Sequence, residues 1–347
     1  MPFTDRLALY ANRLNADFPT APHLGRNCTG GIIEIKSQPN NFAATVGQVY
    51  EDTVFEWNRT VVGRKEYGIS QQWAETPQGF VYVPQLQPCA NVPNQPLSEM
   101  PQGKPGFWAE VTVPYVDFVL ENAQPYSPWL VNQVGYGLPT RLYYSQIVWI
   151  DAMKIGDTSG KIVYRVNEPY GNPGDVFWAD ASAFRPLTDD ELTPIHPDVD
   201  PATKKIIVNL TYQTLSCFED EREVFFCRIS SGPKLEAGWE TPPGDYNYPW
   251  RKTISIHMAG GTLGSGWDTP FISWTYLFAV GGIAIHSAFW HNDFGTARSH
   301  GCVNCRPDDA KWIFRWAYPH VSLDKSDFDL TGEKVQGTPV KVIERSF

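Results

Sequence analysis

Twenty-nine prolines and 28 glycines are scattered through 347 residues without a short period. Proline cannot donate to a strand ladder or sit inside a helix, and glycine weakens both elements. What fits between such breakers is a series of short strands and turns, so the chain is expected to be mainly β. With 42% hydrophobic and 14% aromatic residues it has the material for packed cores, which excludes a disordered or low-complexity chain. At about 150 residues per domain, the length implies two or three folded units.

Lys plus Arg is 28 and Asp plus Glu is 38, so 28 − 38 = −10. That sign repels polyphosphate and anionic lipid, and nucleic acid is not an expected partner. No run of about 18 apolar residues is present to span a bilayer. The start, Met1-Pro2-Phe3-Thr4-Asp5-Arg6, lacks the basic-then-apolar layout of a signal peptide. The chain reads as soluble, which fits either a cytoplasmic protein or a mature region trimmed and given Met1.

Six cysteines, Cys28, Cys89, Cys217, Cys227, Cys302 and Cys305, are too few for a disulfide scaffold in a chain of this length. Cys217 and Cys227 flank a hairpin, but a turn at Asp220-Glu221 would set Cys217 opposite Val224. Cys28 and Cys89 could pair in an oxidising compartment.

The organisation reads as an N-terminal helical and loop extension (1–40), two β modules (41–105 and 106–190), a linker (191–203) and a C-terminal domain (204–347). In the extension, Thr4 can cap a helix to about Asn15, with Leu7, Tyr10, Ala11 and Leu14 on one face. The first module carries strands at Val46 to Tyr50, Val54 to Trp57, Val61 to Val62 and Gly79 to Val83. The second carries them at Trp108 to Val113, Leu142 to Ile150 and Lys161 to Asn167. Both modules close alike: Gly79-Phe80-Val81-Tyr82-Val83-Pro84-Gln85-Leu86-Gln87-Pro88 and Asp175-Val176-Phe177-Trp178-Ala179-Asp180-Ala181-Ser182-Ala183-Phe184-Arg185-Pro186 each read as an aromatic strand, a tight turn and a hydrophobic before proline. This duplication resembles small bacterial SH3-like barrels, a resemblance that implies wall binding, substrate orientation or a spacer. The acidic, proline-stiffened stretch from Leu187 to Thr203 marks the boundary. Beyond it, Lys205 to Gln213 and Glu223 to Ile229 are expected to form a hairpin, Pro339 to Ile343 a closing strand, and Pro307 to Trp316 a helix started by proline and early acids.

Four of the seven histidines and two of the cysteines lie between His257 and Cys305, a window of 305 − 257 + 1 = 49 residues. A cysteine attacks as thiolate and needs a nearby imidazole or oriented N–H groups to reach it. Ser299-His300-Gly301-Cys302 puts a thiol just before the Pro307 helix and after a glycine that allows close backbone approach, a layout suited to acyl transfer.

Ile285-His286-Ser287 followed by Ser299-His300-Gly301-Cys302-Val303-Asn304, with 302 − 286 = 16, resembles the L,D-transpeptidase catalytic (YkuD) domain. The likeness extends over about residues 204 to 345, including Thr241-Pro242-Pro243-Gly244 and Gly337-Thr338-Pro339-Val340. It implies a β-rich catalytic domain with one or two short helices, and an extracytoplasmic enzyme of the cell wall. By that resemblance Cys302 attacks the stem-peptide carbonyl between meso-diaminopimelate and D-alanine, and His286 takes its proton. A second stem's amine then resolves the thioester into a 3→3 cross-link. His300 would hold the site's hydrogen bonds, and the Ser287 carbonyl would orient the base. Gly301 and Cys302 N–H groups would bind the oxyanion, at about 3 kcal/mol per donor. Ser299 and Asn304 would hold the loop. Arg298 and Arg306 could pair with stem carboxylates or be solvated surface arginines. Tyr276, Trp290 and Met258 could line the cleft or belong to the core, and His257 could reach the site from a neighbouring strand. No cofactor is implied, and carbapenems are expected inhibitors.

Cys305 departs from the family block and makes a CxxC pair with Cys302. The pair could be a redox couple, half of a zinc site completed by His286, His291 or His300, or one nucleophile beside a buried thiol. Three rival readings follow: an L,D-carboxypeptidase using the same thioester, an inactive or redox-locked wall-binding protein, and a zinc or thiol-redox protein.

Overall fold

The computed structural model describes residues 18–122, 124–156, 159–167, 175–234, 238–260 and 267–345. The helix expected from Thr4 to Asn15 lies outside them. The described chain is mainly β, with 25 strands and two α-helices. The first unit holds β1 (Leu24–Asn27), β2 (Ile33–Lys36), β3 (Thr45–Val49), β4 (Val54–Glu56), β5 (Arg59–Val62), β6 (Gln72–Thr76), β7 (Gly79–Tyr82) and β8 (Leu86–Cys89). They form a three-stranded sheet, β4-β1-β8, and a five-stranded one, β3-β2-β7-β6-β5. Because β1 and β2 pair within these sheets, the unit begins before Leu24 and not at residue 41.

The second unit is a seven-stranded sheet made from β9 (Phe107–Val111), β10 (Tyr115–Leu120), β11 (Arg141–Tyr143), β12 (Ile147–Ile155), β13 (Ile162–Asn167), β14 (Val176–Asp180) and β15 (Phe184–Pro186), with helix α1 (Pro128–Gly135) between β10 and β11. The strand expected over Leu142 to Ile150 is broken at Ser145, whose φ of 70° turns the chain. The repeat read from sequence takes the same form twice: β7, a 3-10 turn at Val83–Gln85 and β8; then β14, a 3-10 turn at Ala181–Ala183 and β15.

Residues 187–203 are docked, unlike a free linker. Leu187, Leu192 and Ile195 pack into the C-terminal core. Glu191 takes Arg185 and Lys311 at 2.7 Å each.

The C-terminal domain contains two five-stranded sheets. One, β18-β17-β16-β25-β19, joins β16 (Lys204–Asn209), β17 (Thr214–Glu219), β18 (Arg222–Arg228), β19 (Gly244–Tyr246) and β25 (Val340–Ile343). The other, β23-β22-β21-β20-β24, joins β20 (Arg251–Gly260), β21 (Trp267–Ala279), β22 (Ile283–Ser287), β23 (Val303–Cys305) and β24 (Asp327–Asp329). The expected hairpin thus has an additional strand: β16 ends at Asn209, and β17 pairs with both β16 and β18. A bulge after Cys217 puts that residue opposite Phe225, not Val224, while Cys227 faces Leu215. Helix α2 spans Pro307–Trp316, with Asp308 and Asp309 in its first turn and Ala310, Ile313, Phe314 and Trp316 buried. These four residues recur at helical spacing, so one face of α2 closes over the core.

Two sets of connections fix the segment around β22 and β23. Ser230 and Asn304 exchange backbone hydrogen bonds at 2.9 Å, stitching the two sheets together beside β23. The first unit supports the loop after β22: Arg26 Nη2 donates to the Phe289 carbonyl at 3.4 Å, and the Asn292 N–H donates to that of Pro84 at 3.4 Å. The second unit docks on the sheet itself, with the Ile147 N–H donating to Ser273 Oγ at 3.0 Å and Ser255 Oγ–H to the Ile147 carbonyl at 2.7 Å.

Candidate active site

β22 and β23 run parallel, with His286 opposite Asn304 and Ser287 opposite Cys305. Side chains alternate along β23 and its approach. Val303 and Cys305 enter the main core with Ile285, whereas Cys302 packs with Met258, Ile272, Leu277 and Ala284. The two thiols of the CxxC pair therefore lie on opposite faces of one strand. They can neither bridge nor chelate one ion, which overturns both the redox couple and the half zinc site. No cluster of three His, Cys, Asp or Glu side chains suited to a metal occurs among the described residues. Cys28 and Cys89 also miss each other: Cys89 faces Leu24 in the β1–β8 ladder, leaving Cys28 four positions away, roughly 13 Å along the strand and beyond disulfide reach.

A cavity of about 280 Å³ is lined by His286, Trp290, His291, Arg298, Ser299, His300, Cys302 and Asn304, with Thr269 at its edge. His286 Nδ1 lies 2.8 Å from the Ser287 carbonyl. A carbonyl only accepts, so the proton sits on Nδ1 and the Nε2 lone pair is free to take another. Burial lowers the pKa of this imidazole to about 4, against a smaller opposing effect of that hydrogen bond. The Cys302 thiol donates to the Gly282 carbonyl at 3.6 Å. Burial raises its pKa to about 11, with the hydrogen bond from Ala284 acting the other way. In both groups burial favours the uncharged form, the thiol for Cys302 and the neutral imidazole for His286.

The Ser299–Cys302 turn needs its glycine, because Gly301 has φ +114°. Ser299 Oγ–H donates to the Cys302 carbonyl and Oγ accepts the Gly301 N–H at 3.2 Å. That N–H is therefore spent inside the turn and does not point at substrate, contrary to the oxyanion role expected for it. Thr241 Oγ1–H donates to the Gly301 carbonyl at 2.8 Å and accepts the Gly232 N–H at 2.9 Å, which anchors the turn from outside. The His300 ring packs on Trp239 with centroids 3.9 Å apart.

His291 was weighed in the sequence only as a zinc ligand; the fold gives it another setting. Its Nδ1 accepts the Asp293 N–H at 3.2 Å, so its proton belongs on Nε2, which lies 3.1 Å from the Asn304 amide. A ring N–H there requires the amide oxygen, and Asn304 Oδ1 is the end that otherwise lacks a partner. The cavity wall thus carries a directed chain from Asp293 through His291 to Asn304. The only sequence signal for it was a histidine five residues after His286.

Other expected residues fall elsewhere. Tyr276 is buried in the core, its hydroxyl donating to the Thr338 carbonyl at 2.8 Å; it does not line the cleft. Arg306 stands at the start of α2 with its guanidinium 5.5 Å from the Phe294 ring centroid, outside the cavity. Arg298 lines the cavity and pairs with Asp293 at 3.3 Å. Met258 lies behind Cys302 as packing. His257 on β20 pairs with Asp268 on β21, whose other oxygen accepts the Trp129 N–H of α1 at 2.7 Å. This is a tie between units, and His257 does not line the cavity.

The fold and this cavity define a β-rich domain with a buried cysteine and a buried histidine lining one cavity. Residues 203–342 match the L,D-transpeptidase catalytic domain family, YkuD, and the chain carries such a domain there. Among solved structures, a mutant of the Enterococcus faecium L,D-transpeptidase is 25% identical with a TM-score of 0.31, over 43% of this chain and 52% of that one. The E. faecium catalytic domain acylated by ertapenem is 24% identical with a TM-score of 0.30, over 41% of this chain and 97% of that one. An L,D-transpeptidase from Mycobacterium smegmatis is 16% identical with a TM-score of 0.31, over 52% and 90%. The match spans about half the length of the first two structures it resembles. No curated protein sequence matches the chain. No helix among the described residues is long and apolar enough to cross a membrane.

Proposed function

We propose that the protein is an extracytoplasmic peptidoglycan L,D-transpeptidase that forms 3→3 cross-links through a thioester on Cys302. The observation that carries this reading is one cavity holding the Cys302 thiol and a His286 whose Nε2 is free. His286 Nε2 removes the thiol proton as Sγ attacks the carbonyl between meso-diaminopimelate and D-alanine, and returns it to the departing D-alanine amine. The amine of a second stem then attacks the thioester, forming the new amide and restoring the thiol. With the Gly301 N–H tied to Ser299, the Cys302 N–H is assigned as the backbone donor to the oxyanion. Arg298, at the cavity wall, is placed to meet a stem carboxylate by exchanging its bond to Asp293. The two N-terminal units are assigned as SH3-like modules that orient the wall, the first bracing the loop after β22 and the second docking on the sheet.

The test is intact mass after exposure to a carbapenem, on wild type and Cys302→Ala. A single adduct on wild type, absent from the variant, is expected. No adduct on the reduced wild type would sink the enzyme reading in favour of a wall-binding protein. Tetrapeptide donors, with and without an acceptor stem, then separate transfer from hydrolysis.

A further inference from the structure

Beside the Gly281-Gly282 turn lies a second cleft, of about 620 Å³, within the size range of small-ligand sites. The Gly281-Gly282 turn divides it from the catalytic cavity: Gly281 lines the cleft, and the Gly282 carbonyl accepts the Cys302 thiol. Tyr246, Tyr248 and Trp250 line the cleft, with Asp245, Asn247 and Thr331 as its polar groups. Two of the rings are fixed by their polar atoms. Tyr246 Oη–H donates to the Pro242 carbonyl at 2.9 Å, and Trp250 Nε1–H to that of Ala279 at 3.1 Å. Trp250 also packs against the cluster that contains Cys302, so the cleft and the nucleophile share a wall. Tyr248 stands 79% exposed.

The chemistry of this lining is selective. An acidic stem peptide would seek a cation, but among the described residues no Lys or Arg lines the cleft, and the nearby Lys341 is paired with Asp245 at 3.2 Å. Aromatic faces carry negative potential and attract weakly positive C–H edges. Amide, carboxylate and hydroxyl groups at the rim exchange hydrogen bonds with hydroxyls. A ligand with apolar C–H faces, a hydroxylated perimeter and no charge requirement is a pyranose ring.

From this we infer that the Tyr246–Tyr248–Trp250 cleft is a saccharide subsite that holds the glycan strand beside Cys302. The inference rests on the transpeptidase reading, in which the stem that enters the catalytic cavity hangs from such a strand. The glycan would dock by stacking on Tyr248 and Trp250 and would position the stem without taking part in the chemistry.

The test is calorimetric titration of the full chain, wild type and Cys302→Ala, with chitohexaose and with peptide-free glycan strands. Saturable binding is expected to both proteins. Tyr248→Ala should weaken it about tenfold, and Tyr248→Phe, which keeps the ring, should leave it within about twofold of wild type. Thermal melting of each variant shows whether a loss reflects unfolding. Absence of saturable binding to wild type overturns the inference. So does unchanged affinity in Tyr248→Ala, or displacement of the sugar by a free stem tetrapeptide. Carbapenem acylation of the same samples separates the two readings. Acylation without sugar binding removes only the subsite, and sugar binding without acylation removes the transpeptidase and leaves a glycan-binding protein.

Discussion

The two clefts, one lined by His286 and Cys302 and one by Tyr246, Tyr248 and Trp250, are built on different principles. On the His286 side, polar side chains are aimed by a specific hydrogen bond: Nδ1 of His286 by a backbone carbonyl, His291 by the Asp293 N–H, and Asn304 by His291. On the Tyr248 side, two of the three rings have their polar atoms turned to backbone carbonyls, and the lining presents ring faces and a rim of exposed polar groups. A reacting centre needs its lone pairs and protons placed to a fraction of an ångström, while a surface that holds a neutral chain needs area and tolerates sliding. On the proposed reading, the contrast separates bond-making from holding within one domain.

The contrast is broken most directly at His286. Replacing it by Gln should slow acylation of Cys302 by about 10²–10⁴-fold while chitohexaose binding stays the same. Stopped-flow acylation and titration of one preparation would read both, and a parallel loss of sugar binding would mean that the two clefts are one site. A smaller effect is expected at Asn304. Asn304→Ala leaves the His291 Nε2–H without its acceptor in a buried wall, and should cost roughly 1–3 kcal/mol of stability. Denaturant unfolding would measure that cost. Asn304→Asp keeps an acceptor oxygen and should recover most of it.

The broadest effect is with pH. His286 and His291 are pushed by burial to about 4 and about 3, below their ordinary value of 6.5. The unfolded chain therefore binds more protons than the folded one below pH 6.5, and stability falls as pH drops through that window towards 4. The acylation rate should hold steady down to about pH 5 and fall below about 4, where the His286 lone pair is protonated. Melting temperature and acylation rate as functions of pH would check both. A rate that fell already near pH 6.5 would show an imidazole more exposed than the cavity allows.

Much of the local structure was legible in the sequence. Proline at the start, acids in the first turn and a helical apolar spacing located α2 over Pro307–Trp316, because those signals act within a few residues. The clustering of His286, Ser299, His300 and Cys302 marked the cavity, and these residues do share it. The misreadings have a common cause. Tyr276 and Arg306 admit two readings each from the sequence; strand alternation puts Tyr276 in the core and the start of a helix takes Arg306 away from the cavity. His291 went unrecognised as a cavity-wall residue because its partner Asn304 is 13 residues further on, across a turn no local pattern predicts. Cys217 slipped by one position because a bulge lengthened one strand of its hairpin.

The sequence by itself determined a mainly β chain, a closing strand–turn–strand unit that recurs, a helix after a cysteine, and a Ser-His-Gly-Cys turn that requires its glycine. These follow from backbone preference and short-range periodicity. Only the tertiary structure decided that Cys302 and Cys305 face opposite sides of β23 and that the first unit braces the loop after His286. It also decided that an aromatic cleft opens beside the Gly281-Gly282 turn. Such outcomes depend on pairings between distant segments, as when Ile206 meets Val340 in the β16–β25 ladder. The free energy of those contacts comes from burying one face of each strand against another, and no single segment encodes which partner it will meet.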